Sequence, residues 1–144
     1  MTIQFINRSK QLFESGYGCA ESVLLAVCES KDLESALIPR IASGFCGGVS
    51  NTNGMCGAVA GGILALNIVY GRDNANESKE LNYQKVNQFQ QSFTAKFGTT
   101  SCPGLTDCDL STNEGQEKFK KLNVHQKCSD FTGEATRMVL ELIG

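Results

Sequence analysis

Several residue types and motifs are scarce in this chain. Its 144 residues include no tryptophan, two prolines and one histidine. The sequence contains no Cys-x-x-Cys pair, no Gly-x-Ser-x-Gly, and neither a Gly-x-Gly-x-x-Gly nor a phosphate-loop motif. The local signatures of thioredoxin-like proteins, serine hydrolases and nucleotide-binding proteins are therefore missing. No segment alternates polar and apolar residues for long, so we predict no β-strand.

Charge of one sign is also scarce. Lys and Arg total 13 and Asp and Glu total 15, which gives a formal net charge of −2. A nucleic-acid-binding domain usually has a basic surface, so we expect no nucleic-acid partner. The main apolar stretch, residues 55–70, is shorter than the roughly 20 residues of a membrane span and contains Asn67. We interpret it as a core helix and expect no membrane span.

Cysteine, by contrast, is abundant, with 7 residues. The first residues lack the basic start and apolar core of a signal peptide, so we predict a cytoplasmic protein. Thiols stay reduced in that compartment, and cysteine-rich chains there more often use them for metal or redox chemistry than for structural disulfides. Because the number of cysteines is odd, at least one thiol stays unpaired within the chain under any disulfide scheme.

The helical spacing of apolar residues predicts an all-α fold. We expect one domain over residues 1–144, a bundle of five to seven helices around a buried, glycine- and alanine-rich central helix. Within that central helix, Gly57, Ala60 and Gly61 share one face, which lets another backbone approach closely. The predicted helices cover approximately residues 2–15, 19–31, 32–43, 55–70, 78–97, 111–122 and 128–143, with a short helical turn from Pro103.

The central helix also carries the clearest chemical signal. Cys56 lies in its first turn, where free backbone N–H groups and the helix dipole favour a thiolate. It follows a glycine-rich loop that contains Cys46. Cys19 stands at the start of the second helix, and Cys102 and Cys128 fall at or just before further predicted helix starts. We hypothesise that the thiols at these helix starts converge on one electropositive pocket, which would lower their pKa values.

Two further cysteines have other positions. Cys28 follows Cys19 by nine residues, and at about 100° per residue it faces the opposite side of the helix. We therefore predict that Cys28 is a core residue. Cys108 lies six residues after Cys102, which is too far for a Cys-x-x-Cys pair, and we assign no role to it.

At these residues the chain resembles the C_GCAxxG_C_C family, which is described as "putative redox-active protein". The segments that carry the resemblance are GCAESVLLA around Cys19, SGFCGGV before the loop, GMCGAVAGGILAL around Cys56, FG…C-x-x-L at Cys102, and the late Cys128. They follow in order over almost the whole chain. The resemblance implies a small redox-active protein with four characteristic cysteines, which correspond to Cys19, Cys56, Cys102 and Cys128. We expect Cys46 to join them.

Three functions remain open at this point. The first is thiol–disulfide chemistry by the four family cysteines, with an unidentified redox partner or small molecule. The second is binding of zinc or an iron–sulfur cluster by the same cysteines with Cys46. His125, three residues before Cys128, is a candidate extra ligand, although we favour a solvent-facing position for it. The third is a non-catalytic interaction or accessory subunit whose cysteines are mostly core residues. Whether the central helix builds a homodimer is also open.

Overall fold

The computed structural model of the protein describes residues 2–144, and it confirms the all-α fold: no β-strand occurs among these residues. They form eight α-helices, one more than the upper limit of the predicted range. These are α1 Thr2–Glu14, α2 Cys19–Ser30, α3 Cys46–Asn51, α4 Gly57–Tyr70, α5 Glu80–Phe97, α6 Cys102–Thr106, α7 Asn113–Lys121 and α8 His125–Ile143, with a 3-10 helix, Arg40–Phe45, before α3. None of the helices described combines the length and apolar character that crossing a bilayer requires.

Helix α4 occupies the centre of the bundle, as predicted. It packs against α2, α5 and α8, and α1 lies against α2 and α8. Its glycines let two of these neighbours come close. A Cβ at Gly61 would lie 2.4 Å from the carbonyl oxygen of Ala20 in α2, and a Cβ at Gly62 would lie 2.4 Å from the ring of Phe89 in α5. Small residues on α4 therefore set the spacing of the helices around it.

Helix α5 carries the predicted aromatic row, and Gly98 ends it in the left-handed conformation. Phe89 and Phe93 are fully buried in the core. The sequence predicts Leu81 and Tyr83 in the same apolar stripe, but these side chains are 51% and 54% exposed. The difference arises because the first turn of α5 lies outside the packed core.

The helix predicted over residues 32–43 is wrong. Asp32 has a φ of 53°, a left-handed conformation that interrupts a right-handed helix. Pro39 has no amide hydrogen and disfavours a helical conformation at Ile38. Only Arg40–Phe45 is helical in this region, and it is a 3-10 helix that continues past the predicted stop at Gly44.

Two other helices begin at different residues from those predicted. Helix α7 begins at Asn113, two residues after the predicted start at residue 111, and Thr112 caps it: the Thr112 hydroxyl oxygen accepts a hydrogen bond of 2.9 Å from the N–H of Gly115. Helix α8 begins at His125, three residues before the predicted start at Cys128. Cys128 therefore lies in the second turn of α8 and not at a helix start.

Candidate functional site

A cavity of about 290 Å³ contains most of the cysteines in its lining. These are Cys19, Cys46, Cys56, Cys102 and Cys128. Four of them come from the starts of α2, α3, α4 and α6, and the fifth comes from the second turn of α8. The structure thus brings together the four family cysteines and Cys46, although they are far apart in the chain.

The two remaining cysteines lie outside this lining. Cys28 is buried in the main core among residues of α2, α4 and α8, as predicted. Cys108 is buried in a smaller cluster with the cavity cysteine Cys102 and with Leu110 and Val124. Its thiol donates a hydrogen bond of 3.3 Å to the carbonyl oxygen of Thr106. Cys28 thus has the position of a structural residue, whereas Cys108 lies close enough to Cys102 and Cys128 to raise the pKa values of both thiols.

Two glycines border the thiols of Cys19 and Cys46. A Cβ at Gly57 would lie 2.2 Å from the Sγ of Cys19 and 3.3 Å from the Cα of Cys46. A Cβ at Gly18 would lie 2.2 Å from the Sγ of Cys46. Non-bonded heavy atoms normally stay about 3.5–4 Å apart, so each thiol rests directly on a glycine backbone. Because Gly57 borders both cysteines, Cys19 and Cys46 are close neighbours.

Backbone hydrogen bonds fix Cys56 beside Cys102. The N–H of Cys56 donates to the carbonyl oxygen of Thr100 over 2.7 Å, and the N–H of Cys102 donates to that of Gly54 over 2.9 Å. This pairing is a short antiparallel bridge between two loops. A third glycine borders this part of the site, since a Cβ at Gly48 would lie 2.9 Å from the Sγ of Cys102.

The predicted glycine-rich loop contains a left-handed turn. Residues 47–51 have φ values between 58° and 69°, so α3 winds in the opposite sense to the other helices. Glycine adopts this conformation freely, whereas it costs about 1–2 kcal/mol at residues such as Val49 and Ser50. The Ser50 hydroxyl stabilises the turn by donating a hydrogen bond of 2.8 Å to the carbonyl oxygen of Gly44. The turn places Gly48 against Cys102.

Burial decides the protonation of the deeper thiols. It raises the pKa of Cys56 to about 11, although the N–H groups of Val59 and Ala58 in the first turn of α4 act in the opposite direction. Burial, with a contribution from Cys56 and Cys102, raises the pKa of Cys128 to about 12. It also raises the pKa of Cys102. The N–H groups at the start of α4 do lower the pKa of Cys56, as predicted, but desolvation of the thiolate raises this pKa by more.

The pKa of Cys46 is raised as well, first by its hydrogen bond with Cys19 and then by burial. The backbone N–H groups of Ala20 and Glu21 oppose this rise. These groups belong to the first turn of α2. The Cys46 thiol therefore lies at the amino-terminal end of α2, beside Cys19, although its backbone belongs to the following segment.

Glu21 links α2 to the segment that carries Cys46. One carboxylate oxygen accepts a hydrogen bond of 2.8 Å from the N–H of Gly18, and the other accepts one of 2.8 Å from the hydroxyl of Ser43. The first contact caps α2 just before Cys19, and the second holds the 3-10 helix just before Cys46. Glu21 therefore fixes the two thiols relative to each other.

Cationic and aromatic side chains stand at another part of the cavity. The ring of His125 stacks on that of Phe13 with 4.3 Å between centroids, and its Nε2 lies 3.8 Å from a carboxylate oxygen of Glu14. The His125 side chain is about half exposed, in line with the predicted solvent-facing position. Lys120 also borders the cavity. No Asp or Glu among residues 2–144 contributes to this lining.

Comparison with known protein families gives the classification. Residues 17–142 match the C_GCAxxG_C_C family, described as "putative redox-active protein". The chain belongs to this family. Comparisons with curated proteins and with solved structures find no match. Membership in the C_GCAxxG_C_C family thus gives a general class of activity and no substrate.

Some contacts of this C_GCAxxG_C_C site could not be read from the chain. Neither the position of Glu14 beside His125 nor the contact of Glu21 with Ser43 follows from local spacing, because each joins residues of different elements. One signal was available for Glu21: it stands three residues after Gly18, the spacing of a reciprocal helix cap.

The geometry of the C_GCAxxG_C_C site also bears on metal binding. Within residues 2–144, no three His, Cys, Asp or Glu side chains are grouped closely enough to hold a metal ion. A tetrahedral zinc site needs four donors, with thiolate sulfurs about 2.3 Å from the metal. The cavity thiols, as they stand, therefore do not form a ready site for a single zinc ion.

Proposed function

We propose that this protein is a thiol–disulfide redox protein that reacts at the cysteine cavity. The observation that carries the proposal is the placement of five free thiols in one cavity lining, with Cys19 and Cys46 as neighbours. Cys19, Cys56, Cys102 and Cys128 are the redox thiols of the family pattern, and Cys46 is the partner of Cys19. The classification of the family as redox-active supports this reading.

Cys19 and Cys46 are the pair that we assign to the first step. Cys19, Cys46 and Cys128 are partly exposed, whereas Cys56 and Cys102 are buried, and Cys19 and Cys46 are neighbours across Gly57. The raised pKa of Cys46 keeps its proton in place. We assign the attack to Cys19, which is the first residue of α2 and one of the four family cysteines. The Cys19 thiolate attacks one sulfur of a substrate disulfide and releases one substrate thiolate. Cys46 then loses its proton and attacks the Cys19 sulfur, which releases the second thiolate. Two electrons pass from the protein to the substrate, and a Cys19–Cys46 disulfide forms.

The deeper thiols act after this pair. Cys56 directly precedes Gly57, the glycine that borders the Cys19 thiol, and both cysteines line the cavity. We propose that Cys56 exchanges with a disulfide formed at Cys19. Cys102 and Cys128 lie close enough to Cys56 for their charges to affect one another. Their raised pKa values disfavour the thiolate at neutral pH, so we expect Cys102 and Cys128 to react slowly with a substrate disulfide. We assign Cys102 and Cys128 to a second dithiol. Exchange through Cys56 oxidises this dithiol to a disulfide and reduces the Cys19–Cys46 disulfide.

The test is a count of free thiols in protein reduced without oxygen, before and after a mild disulfide oxidant. We expect two thiols to disappear first and to return on reduction, and peptide mass spectrometry to identify a Cys19–Cys46 bond. Cys19→Ser and Cys46→Ser should each prevent this bond. Cys28→Ala is the matched control, because Cys28 is a free thiol outside the cavity, and it should leave the bond unchanged.

Other outcomes would contradict the proposal. If all the thiols remain free under oxidants that reach them, the protein is better described as an interaction or accessory subunit. If protein purified without oxygen retains stoichiometric zinc, or iron with matching sulfide, the cysteines serve as ligands. In that case the same Cys→Ser variants should lose the metal, and Cys28→Ala should keep it.

A further inference from the structure

We infer that the cavity binds a small organic disulfide that has an apolar body and a negatively charged group, and not the disulfide of a protein partner. The inference rests on the proposed function, because it names the substrate of the same thiols. It is argued from three properties of the cavity: its depth, its walls and the charges beside it.

The depth of the thiols favours a small molecule. Cys56 and Cys102 are only 6% and 8% exposed, and Cys19 and Cys46 are partly buried in the same recess. The volume of about 290 Å³ lies at the lower end of the range for small-molecule sites. Disulfide exchange requires the attacking sulfur to reach the disulfide directly. A molecule of about 10–20 non-hydrogen atoms fits such a recess, whereas a disulfide on the surface of a folded protein does not enter it.

The walls favour an apolar body. Beside the cysteines and glycines, five lining residues are apolar and five are polar, but most of the exposed lining surface is apolar. The apolar ones are Phe13, Leu105, Leu110, Phe119 and Phe131. One polar group is already engaged: the side-chain amide of Gln116 donates a hydrogen bond of 2.9 Å to the carbonyl oxygen of Leu110. Burial of apolar substrate surface against these walls is therefore the main source of affinity.

The charges beside the cavity favour an anion. Lys120 is an exposed cation in the lining, and it forms no ion pair with the residues that the structure describes. His125 adds a second nitrogen base, and Glu14 faces it from α1 without reaching the lining. No carboxylate is among the described lining residues. Outside the lining, the Glu21 Oε1 lies 3.8 Å from the Cys46 Sγ, and the Glu21 carboxylate accepts hydrogen bonds from the Gly18 N–H and the Ser43 hydroxyl. A negatively charged substrate group is therefore expected at Lys120, away from Glu21. A cationic substrate meets Lys120 with repulsion.

The experiment compares small disulfides of similar length and different charge: dithiodipropionate as the anion, hydroxyethyl disulfide as the neutral compound and cystamine as the cation. For each compound, the initial rate at which the protein loses free thiols is divided by the rate at which the same compound reacts with a small neutral thiol in solution. This ratio removes differences in the intrinsic reactivity of the disulfides. We expect the anion to react fastest and the cation slowest, with about a three- to tenfold span at low salt. The span should shrink in about 1 M salt, where charges are screened within about 3 Å.

Two lysines on one helix provide matched variants. Lys120→Gln removes the cation beside the cavity and should abolish most of the preference for the anion. Lys121→Gln removes the same charge from the next residue of α7, which is exposed and outside the lining, and should leave the preference unchanged. The apolar walls are tested with an aromatic anion, dithiodibenzoate, which should exceed dithiodipropionate in normalised rate.

Each part of the inference can fail separately. If the three compounds have equal normalised rates, or if the preference for the anion survives Lys120→Gln, the cavity does not select a negatively charged substrate through Lys120. If the aromatic anion has no higher normalised rate than the aliphatic one, the walls of the cavity do not favour a substrate with an apolar body. A folded protein with an exposed disulfide that reacts as fast as the small compounds would show a protein partner instead. Failure of hydroxyethyl disulfide to produce any Cys19–Cys46 bond would refute the proposed function itself.

Discussion

The replacement Gly57→Ala tests whether the glycine backbone positions the reactive thiols. Gly57 is the first residue of α4, and alanine there would normally stabilise a helix by up to about 1 kcal/mol. The new Cβ, however, would lie 2.2 Å from the Sγ of Cys19 and 3.1 Å from the carbonyl oxygen of Phe45. The thiol must move by more than about 1 Å to restore an ordinary contact. Packing argues for a loss of stability, and helix propensity argues for a gain.

We expect the steric effect to dominate. Overpacking of this kind costs about 1–3 kcal/mol, which exceeds the gain from helix propensity. A net loss of about 1–2 kcal/mol remains, so for a domain of this length the melting temperature should fall by about 3–8 °C, measured by thermal unfolding under reducing conditions. Formation of the Cys19–Cys46 disulfide should also slow, because the Cys19 sulfur is displaced from its partner.

A second variant and a control make this prediction specific. Gly57→Ala in a Cys19→Ala background should recover most of the lost stability, because the sulfur that the new Cβ meets is gone. Gly44→Ala is the matched control, since its only neighbour would be the Ser50 hydroxyl at 3.7 Å, an ordinary contact distance. The reasoning is refuted if Gly57→Ala is as stable as Gly44→Ala, or if removing the Cys19 thiol brings no recovery.

Three further changes have defined outcomes. Gly61→Ala places a Cβ 2.4 Å from the backbone oxygen of Ala20. Because a helix backbone moves less easily than a thiol, the free energy of unfolding in urea should fall by more than about 2 kcal/mol. Glu21→Ala removes the cap on Gly18 and should lower stability by about 1 kcal/mol and slow disulfide formation, whereas a purely structural cap would lower stability alone. The pKa of Cys56 rises on folding from 9.0 to about 11, so its contribution to stability is complete below pH 9 and is lost as the pH rises through 11. We therefore compare how far the free energy of unfolding in urea falls between pH 8 and pH 10. The fall should be smaller in Cys56→Ala than in the unmodified protein, by about 1 kcal/mol.

The sequence alone determined the fold class and the composition of the site. Apolar residues at helical spacing and the absence of alternation sufficed for an all-α bundle, because that periodicity is a local property of the chain. The small residues of α4 predicted its central place, and Gly61 does approach Ala20 closely. Glycines just before Cys19 and within the Cys46 loop marked helix starts. The order of the cysteine segments was enough to identify the family.

Tertiary structure decided how the thiols are arranged and how they ionise. The pairing of Cys19 with Cys46 depends on Gly57 and Glu21, which join separate elements, and spacing along one helix carries no information about such contacts. The sequence predicted low pKa values from helix starts alone. Burial reverses that expectation at Cys56, because the desolvation of a thiolate depends on every element packed around it. The same holds for the charge beside the cavity, which Lys120 supplies only through the position of α7.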